Sequence, residues 1–253
     1  TSAGMIARRP EGARITAESG TPVSPYAKKG LAVRAGRASL RGTEAAMKLH
    51  YAMLAPNPDR VRFFLKEKGV WDETPKTELN IIKQEHRRPE YLALSPLGHV
   101  PLLELDDGTG LTESRAICTY FEGLYPEPNL MGRDADERAF IEMADRRVEW
   151  YLLVPLAQVI RHTHPGLAPL EQPQFADYGQ AQKAKVLDYA ARFDQLLQQQ
   201  AWMAGERFTV ADITAFCALE FGRLMKFNAG AAGFSALQAW RDRVAERPSA
   251  AAG

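Results

Sequence analysis

The sequence predicts an α/β domain followed by an all-helical domain. Short stretches with strand character alternate with helical patterns up to about residue 127, whereas no strand pattern remains after residue 132. The chain has 253 residues, of which 45% are hydrophobic and 25% are charged. Such a composition is typical of a globular protein, and the length suffices for two domains with hydrophobic cores of their own.

Charge and cysteine content argue against several classes of protein. Lysine and arginine together number 32 and aspartate and glutamate 31, so no strong field directs the chain to nucleic acid or to an anionic membrane. No stretch approaches the roughly 18 consecutive apolar residues of a membrane-spanning helix. Cys118 and Cys217 stand far apart and outside any metal-binding spacing. We therefore expect a cytoplasmic protein with no metal, no nucleic-acid partner and no membrane partner.

Residues 1–46 differ in composition from the rest of the chain. They are rich in Ala, Gly, Arg, Ser and Thr, poor in large apolar residues, and show no regular period. We expect a disordered extension, or a start codon assigned upstream of Met47, and an organelle transit peptide is the less favoured alternative. The two domains are accordingly predicted at 47–127 and 134–248.

The first domain begins with a β-α-β pattern. Residues 48–53 predict a strand, and the turn at 56–59 is typical of a helix start, with Gly69 as the stop of that helix. Residues 76–82 predict a second strand, and 86–94 predict an irregular loop with a short helix. Because a crossover helix joins the first two strands, we expect them to be parallel.

A hairpin and a helix follow. The Asp-Asp-Gly turn at 106–108 stands between the strand-like stretches 100–105 and 110–112, which predicts an antiparallel pair. Apolar residues then recur at helical spacing over 114–124, and Pro126 ends the pattern.

The second domain contains helical patterns only. One long helix is predicted over 136–162, with a kink at its single proline, and another over 177–200. A third helix begins where Thr209 and Asp212 stand in capping-box spacing, and a fourth covers 235–246. Helices without strands imply a bundle with its own core.

Four segments of the chain resemble the cytosolic glutathione S-transferases in their order and spacing. They are 48–51 with 60–62, Ser-Pro-Leu-Gly-His-Val-Pro at 95–101, Leu-Thr-Glu-Ser-Arg-Ala-Ile at 111–117, and Ala-Gly-Glu-Arg-Phe-Thr-Val-Ala-Asp at 204–212. The resemblance covers Met47 to about Pro248. It implies a thioredoxin-like N-terminal domain followed by a helical-bundle C-terminal domain. It also implies a homodimeric transferase that acts in detoxification and uses glutathione as co-substrate.

The start of the helix predicted at 114–124 is the first candidate site. A helix N-terminus presents free N–H groups and the positive end of the helix dipole, which suit an anion. The resemblance implies that the Ser114 hydroxyl and N–H receive the γ-glutamyl carboxylate of glutathione, while the Glu113 carboxylate pairs with its ammonium group. On the local sequence alone, an ordinary N-cap serine is the simpler interpretation of Ser114. The Val100-Pro101 pair upstream favours the binding site.

Val100 and Pro101 supply the second element of that site. In the family the bond between them is cis, which exposes the backbone of the residue before proline. Val100 is then expected to pair, strand-fashion, with the backbone of a bound peptide, and glutathione is such a peptide. By family position His86 lies in the loop that meets the glycine end of glutathione, and His99 precedes the bend, so imidazole donors would face a carboxylate. The alternative is two surface histidines in a polar loop.

The group that activates the glutathione thiol departs from the usual family pattern. A free thiol has a pKa near ~8.5, and most members lower it with a Tyr, Ser or Cys near the end of the first strand. Here the serine or cysteine position falls on Ala55-Pro56, which offers no polar side chain. Two candidates remain. One is the phenol of Tyr51, and the other is the helix start, with the side-chain amide of Asn57 and the N–H groups of Asn57 and Asp59. We favour the helix start with Asn57, as in the bacterial and fungal branch that lacks the usual side chain.

In that branch, polar residues of the long helix are thought to hold a water near the sulfur. The matching region is expected at 146–151, with Arg146 and Trp150 on one face. Trp150, Tyr151, Leu153 and Val154 are candidates for the lining of a second-substrate pocket, but core packing is the favoured interpretation of so apolar a helix. The predicted function is conjugation of glutathione to a small electrophile, or reduction of a peroxide or disulfide. Two alternatives stay open: a non-enzymatic binding or regulatory relative, and a glutathione-dependent catabolic enzyme such as a dehalogenase, isomerase or etherase.

Overall fold

A four-stranded mixed sheet forms the centre of the N-terminal domain. The structure, a computed structural model, describes residues 47–53 and 55–251, so the extension expected over 1–46 lies outside the described residues. The strands are β1 (Lys48–Tyr51), β2 (Lys76–Glu78), β3 (Leu102–Glu104) and β4 (Gly110–Leu111), in the order β2-β1-β3-β4. β1 is parallel to β2 and antiparallel to β3, and β3 is antiparallel to β4. The predicted pairing is confirmed, although each strand is shorter than predicted.

Three helices complete this domain, namely α1 (Pro56–Glu67), α2 (Pro89–Leu94) and α3 (Ser114–Leu124). Side chains alternate along a strand, and Leu49 and Leu103 are fully buried in the same core as Phe64 of α1 and Phe121 of α3. Gly69 follows α1 with φ 70°, the left-handed conformation in which a glycine ends a helix at little cost. The helix predicted over 114–124 is confirmed at both ends.

The C-terminal domain contains helices throughout its described length. They are α4 (Ala135–Val148), a π-helical turn (Glu149–Leu153), α5 (Val154–Thr163), α6 (Ala176–Leu197), α7 (Val210–Gly222) and α8 (Ser235–Ala245). The prediction of a helical second domain is confirmed. Within the part of the chain that the structure describes, no helix is both long enough and apolar enough to cross a bilayer.

The long helix predicted over 136–162 has an unusual turn in its middle. The π-helical turn separates α4 from α5, and the N–H of Val154 bonds the carbonyl of Glu149, five residues earlier. Pro155 follows directly and explains this turn, because proline has no N–H and its ring crowds the carbonyl four residues before it. The widened turn accommodates the proline within an uninterrupted run of helical residues from α4 to α5.

α7 is the most deeply buried helix of the bundle, and its first turn is held by a carboxylate. Asp212 accepts the N–H groups of Thr209 and Met203, both at 2.9 Å, and the indole N–H of Trp240 at 3.0 Å. The predicted capping box is confirmed. Burial raises the pKa of Asp212 to about 6, although these donors favour the charged form.

α1 and α7 join the two domains. The ring of Phe63 on α1 lies 5.9 Å from that of Phe208 and 5.7 Å from that of Phe216, measured between ring centroids. These aromatic contacts place α1 between the sheet and the helical bundle. Side chains at the start of α1 can therefore contact both domains.

Candidate functional site

Four chain segments meet at one edge of the sheet. β1 and β2 are parallel, so both end there, with Tyr51 beside Glu78. β3 runs the opposite way and begins there, since His50 pairs with Leu102. β4 is antiparallel to β3, so the chain that leaves Leu111 returns to the same edge. Every residue predicted to bind glutathione lies in one of these segments. Three of the segments follow β1, β2 and β4, and the fourth precedes β3.

α3 begins at this edge with unpaired backbone donors. Glu113 precedes the helix with φ 66°, a strained conformation for a residue with a side chain, and its carbonyl accepts the N–H of Ile117 at 3.0 Å. The N–H groups of Ser114, Arg115 and Ala116 have no partner among the described residues. Strain of this kind persists where the surrounding structure enforces it. The start of α3 is therefore a preformed position for an anion.

The interpretation of Ser114 as an ordinary N-cap serine is wrong. Glu113 occupies the N-cap position, and Ser114 is the first residue of the helix. Its hydroxyl is buried and accepts a hydrogen bond at 2.9 Å from Nη1 of Arg60, which lies on α1. The serine thus contacts a charged side chain and does not cap its own helix.

Arg60 was missed by the sequence prediction. Its side chain is 1% exposed, and Nη1 also lies 3.1 Å from Oε1 of Glu149, in the π-helical turn. The Nε and Nη2 atoms of Arg60 are buried and have no hydrogen-bond partner among the described residues. No local pattern could have revealed this role, because Ser114 and Glu149 follow Arg60 by 54 and 89 residues.

Arg115 was also missed, and it ties the start of α3 to α4. Its Nε lies 2.5 Å from Oδ2 of Asp145, and its Nη2 pairs with Glu142. Asp145 is fully buried and also accepts the hydroxyl of Thr214 on α7. Burial opposes the charge of Arg115, but the two acidic neighbours outweigh it and raise the pKa of the guanidinium. The first turn of α3 is thereby braced against the helical domain.

Val100 presents an unpaired segment of backbone. The bond between Val100 and Pro101 is cis, as the resemblance implied. Neither the N–H nor the carbonyl of Val100 has a partner among the described residues. The adjacent carbonyl of His99 is held at 2.7 Å by the hydroxyl of Tyr91 and at 3.3 Å by that of Ser95. The loop is therefore fixed, while Val100 is left free to pair with another chain.

A group of basic side chains lies in the loops beside Val100. His86 is buried and its Nδ1 has no partner among the described residues. Burial, with Arg87 and His99 nearby, lowers the pKa of His86, so the imidazole is neutral at pH 7. Arg87, which the sequence prediction missed, donates from Nη1 to the carbonyl of Leu97 at 2.9 Å. His86, Arg87 and His99 together form a donor-rich end of the site, and His99 is exposed.

The start of α1 offers few donors. Ala55 is the N-cap residue, and Pro56 and Pro58 have no N–H. The Asp59 N–H, predicted as a donor to the sulfur, instead bonds the carbonyl of Ala55 at 3.0 Å and closes the first helical turn. That part of the prediction is wrong. Asn57 is exposed, and neither its N–H nor its side chain bonds any described residue.

Tyr51 is the other candidate for activation of the thiol. Its ring packs edge-to-face on Trp71, with 5.4 Å between the ring centroids. Burial and the nearby Glu78 raise the pKa of the phenol. A phenol with a raised pKa is a weaker hydrogen-bond donor, so this environment suits packing better than stabilisation of an anion.

The residues predicted on the long helix have mixed environments. Leu153 is buried as expected, but Trp150 and Tyr151 are 61% and 44% exposed, so the core prediction is wrong for these two. The π-helical turn contains one residue more than an α-helical turn. The side chains of this turn are therefore rotated about the helix axis, toward solvent. Tyr151 stacks on Tyr189 of α6, with 4.7 Å between the ring centroids. Arg146 pairs with Asp145 at 2.8 Å and with Glu149.

Other polar clusters of the described chain do not belong to this edge. Cys118 and Cys217 are buried and unbonded. Across the described residues, no group of three His, Cys, Asp or Glu side chains is arranged to hold a metal ion. A cavity of about 350 Å³ at the end of α7 is lined in part by Glu220, Arg223 and Arg241 and contains none of the predicted site residues.

Two protein-family models match the chain. The model described as "Glutathione S-transferase, N-terminal domain" matches residues 49–129, and the model described as "Glutathione S-transferase, C-terminal domain" matches residues 158–248. The first match spans the sheet with α1 to α3, and the second spans most of the helical bundle. The two matches thus follow the order of the observed domains.

Relatives are similar over most of their length. Glutathione S-transferase 2 of Saccharomyces cerevisiae is 38% identical over 195 residues, which are 77% of this chain and 83% of the yeast protein. The crystal structure of Gtt2 from the same yeast has a TM-score of 0.76 at 36% identity and covers 80% of this chain and 98% of its own. A glutathione S-transferase domain-containing protein of Marinobacter aquaeolei VT8 has a TM-score of 0.73 at 37% identity, over 81% and 100% of the two chains.

A thioredoxin-like domain followed by a helical bundle defines a class of glutathione-dependent proteins. The chain belongs to the glutathione S-transferase family. It is a glutathione S-transferase, and glutathione is its co-substrate. The resemblance seen in the sequence is confirmed. A non-enzymatic role and a dedicated catabolic role are not favoured, because the yeast relative, 38% identical over 77% of this chain, and GstA of Escherichia coli O157:H7, 32% identical over 63% of it, are both named as glutathione S-transferases.

Proposed function

We propose that the chain presents the thiolate of glutathione to a small electrophile, a peroxide or a disulfide at the sheet edge described above. The observation that supports this position is the convergence there of two helix N-termini and an unpaired backbone segment. Glutathione is an extended tripeptide with a carboxylate at each end and a thiol in the middle. It needs two donor-rich regions that flank a strand-like surface, with a third group near the sulfur.

The γ-glutamyl end is assigned to the start of α3. The free N–H of Ser114 and its hydroxyl would receive the carboxylate, and the helix dipole adds to the attraction. The strained backbone of Glu113 holds an exposed carboxylate at the same turn, where it would pair with the α-ammonium group. One helix turn thus addresses both charges of the γ-glutamyl group.

The other two residues of glutathione are assigned to the neighbouring loops. The unpaired N–H and carbonyl of Val100, held in place before Pro101, would pair with the cysteinyl backbone. The glycine carboxylate would meet His86, Arg87 and His99. Because His86 is neutral, the fixed positive charge at this end is that of Arg87.

The sulfur is assigned to the start of α1. Asn57 would stabilise the thiolate with its backbone N–H and its side-chain amide, and the helix dipole favours an anion at this position. Tyr51 remains the less favoured candidate because its ring packs on Trp71. The catalytic contributions would be a lowered thiol pKa and proximity of the two reactants.

We also propose a homodimer in the cytoplasm, with domain limits at 47–127 and 134–248. Leu97 is 63% exposed on the N-terminal domain, and a groove of about 160 Å³ on the helical domain is lined by Phe140, Met143, Phe193 and Leu196 among others. An exposed apolar side chain on one domain and an apolar groove on the other suit reciprocal packing about a two-fold axis. Two free, buried cysteines suit a reducing compartment.

Calorimetric titration with glutathione and with cysteinylglycine, which lacks the γ-glutamyl group, tests the binding site. We expect the dipeptide to bind more weakly by about tenfold or more, since it loses charge-assisted hydrogen bonds of ~1.5–3 kcal/mol at the start of α3. Equal affinities would contradict the assignment of this end. Formation of a thioether from glutathione and a chloronitrobenzene tests the transfer reaction itself, and a rate equal to that without the protein would contradict it.

A further inference from the structure

Arg60, Ser114 and Glu149 form a small buried network where the two domains meet. We propose that Arg60 is a positioning residue for the γ-glutamyl carboxylate of glutathione and that it acts through the hydroxyl of Ser114. This inference rests on the glutathione site proposed above and adds a residue of α1 to a binding site otherwise built on α3. It also gives a reason for the charge that is buried behind that site.

The burial of Arg60 is poorly explained by stability alone. A guanidinium that is 1% exposed has lost nearly all its hydration, and a single partner atom of Glu149, at 3.1 Å, replaces only part of it. Nε and Nη2 have no partner among the described residues. If the only role of Arg60 were to join the domains, an apolar pair of similar volume would serve equally well or better.

The direction of the hydrogen bond between Arg60 and Ser114 is fixed by chemistry. A guanidinium has donors only, so Nη1 donates and the Ser114 oxygen accepts, at 2.9 Å. A serine hydroxyl carries one proton and two lone pairs. With one lone pair occupied by Arg60, the proton must point toward another acceptor, and no described residue provides one.

Neither the hydroxyl proton of Ser114 nor the N–H of the same residue has an acceptor among the described residues. Both donors are available to one carboxylate, in the arrangement that the start of α3 offers to an anion. The positive charge of Arg60 polarises the hydroxyl and makes it a stronger donor. Arg60 therefore orients and strengthens a contact that it does not itself make.

Arg62 provides a matched control on the same helix. It is also buried, but its Nε donates to Asp59 at 3.1 Å and its Nη1 to the carbonyl of Ala251 at 2.7 Å. It does not contact Ser114. Replacing either arginine removes a buried charge from α1, whereas only replacement of Arg60 removes the donor to Ser114.

The test compares glutathione with γ-aminobutyryl-cysteinylglycine, which lacks only the α-carboxylate of the γ-glutamyl group. Affinities are measured by calorimetry for the unaltered protein, Arg60→Met, Arg62→Met, Ser114→Ala and the double variant Arg60→Met/Ser114→Ala. Arg60→Met should weaken glutathione binding by about tenfold and leave the affinity for the analogue unchanged. Arg62→Met should keep the preference for glutathione. In the Ser114→Ala background, Arg60→Met should cause no additional loss.

Several results would overturn the proposal. Equal weakening of both ligands, or a separate effect of Arg60→Met in the Ser114→Ala background, would indicate a general structural role. If Ser114→Ala no longer prefers glutathione to the analogue but Arg60→Met still does, the proposed role of Arg60 is contradicted while the proposed binding site stands. If the unaltered protein binds the two ligands equally well, both the proposed γ-glutamyl site and the proposed role of Arg60 are contradicted. If Arg60→Met does not fold, Arg60→Leu replaces it, and a retained preference in that variant, which has no donor for Ser114, would be decisive against the proposal.

Discussion

The two helices that begin at the candidate site start in different ways. α3 follows the strained Glu113, and the N–H groups of its first three residues have no partner among the residues that the structure describes. It is braced from behind by Arg60 and Arg115. α1 follows Ala55, has proline at two of its first three positions, and leaves only Asn57 with free donors among the described residues of that turn. Neither start carries a hydrogen bond from a described N-cap side chain.

This difference suits the two anions that the site would hold. A carboxylate is charged at any physiological pH, so a rigid site with strong donors gains affinity from it. A thiol with a pKa near ~8.5 needs only a modest shift to be mainly thiolate, and a thiolate of lower pKa is also a weaker nucleophile. Binding strength is thus expected from α3 and reactivity from α1.

The largest effect is expected at the brace behind α3. Asp145→Ala should lower the free energy of unfolding by about 3–5 kcal/mol, because it leaves Arg115, whose side chain is only 15% exposed, without its closest partner. Urea denaturation measures the change. Glu142→Ala is the control, since Glu142 is a half-exposed partner of the same arginine and its loss should cost less than about 1 kcal/mol. Equal losses would show that the buried brace is not what distinguishes α3.

The next effect is expected on ligand binding at α3. Ser114→Ala should weaken glutathione binding by about 1–3 kcal/mol through loss of a charge-assisted hydrogen bond. Calorimetry gives the affinity directly. Thr119→Ala removes an exposed hydroxyl from the same helix, one that bonds only the carbonyl of Arg115, and should leave the affinity unchanged. An unchanged affinity in Ser114→Ala would place the γ-glutamyl group elsewhere.

A smaller effect is expected at the start of α1, on turnover. Asn57→Ala should lower the rate of conjugation with a chloronitrobenzene by about three- to tenfold, because one donor to the thiolate is lost while the backbone N–H remains. Tyr51→Phe should leave the rate unchanged, since the ring contact with Trp71 is preserved. The opposite outcome for the two variants would transfer activation of the sulfur to the phenol.

The smallest effect is expected from an added cap on α1. Ala55 has an extended conformation, φ −114° and ψ 130°, which is suited to an N-cap serine. Ala55→Ser should raise the free energy of unfolding by about 1 kcal/mol, as measured in urea. A fall in turnover at the same time would support the proposed role of Asn57, because Pro58 has no N–H and the added cap can accept only the N–H of Asn57. A lower free energy of unfolding would show that position 55 requires alanine for a reason other than helix capping.

Local sequence was sufficient for much of the site. The turn at 56–59 and the Glu113-Ser114 pair both predicted helix starts, and both are found where they were predicted. Val100 and Pro101 were recognised from a short segment as well. Capping residues, proline and hydrophobic period act over a few residues, so they can be recognised without knowledge of packing. The fold class followed from the order of these local patterns.

Other features depended on local details that a residue pattern does not specify. The Asp59 N–H was predicted to face the sulfur, but it closes the first turn of α1. Trp150 was predicted in the core, but the π-helical turn before Pro155 leaves it exposed. In each case the residue type was informative, whereas the hydrogen bond or rotation that set its role came from the detailed backbone path.

Three properties could be predicted from the sequence, because each depends on neighbouring residues. They are the identity of the protein as a glutathione S-transferase, the order of its strands and helices, and the position of its two helix starts. The charges that stand behind Ser114 could not be predicted in this way. Arg60 reaches it only because α1 packs between the sheet and α7, and Arg115 meets Asp145 only because α3 packs beside α4. Burial strengthens the attraction within these distant pairs and also imposes the cost of desolvation, and burial is a property of the packed molecule.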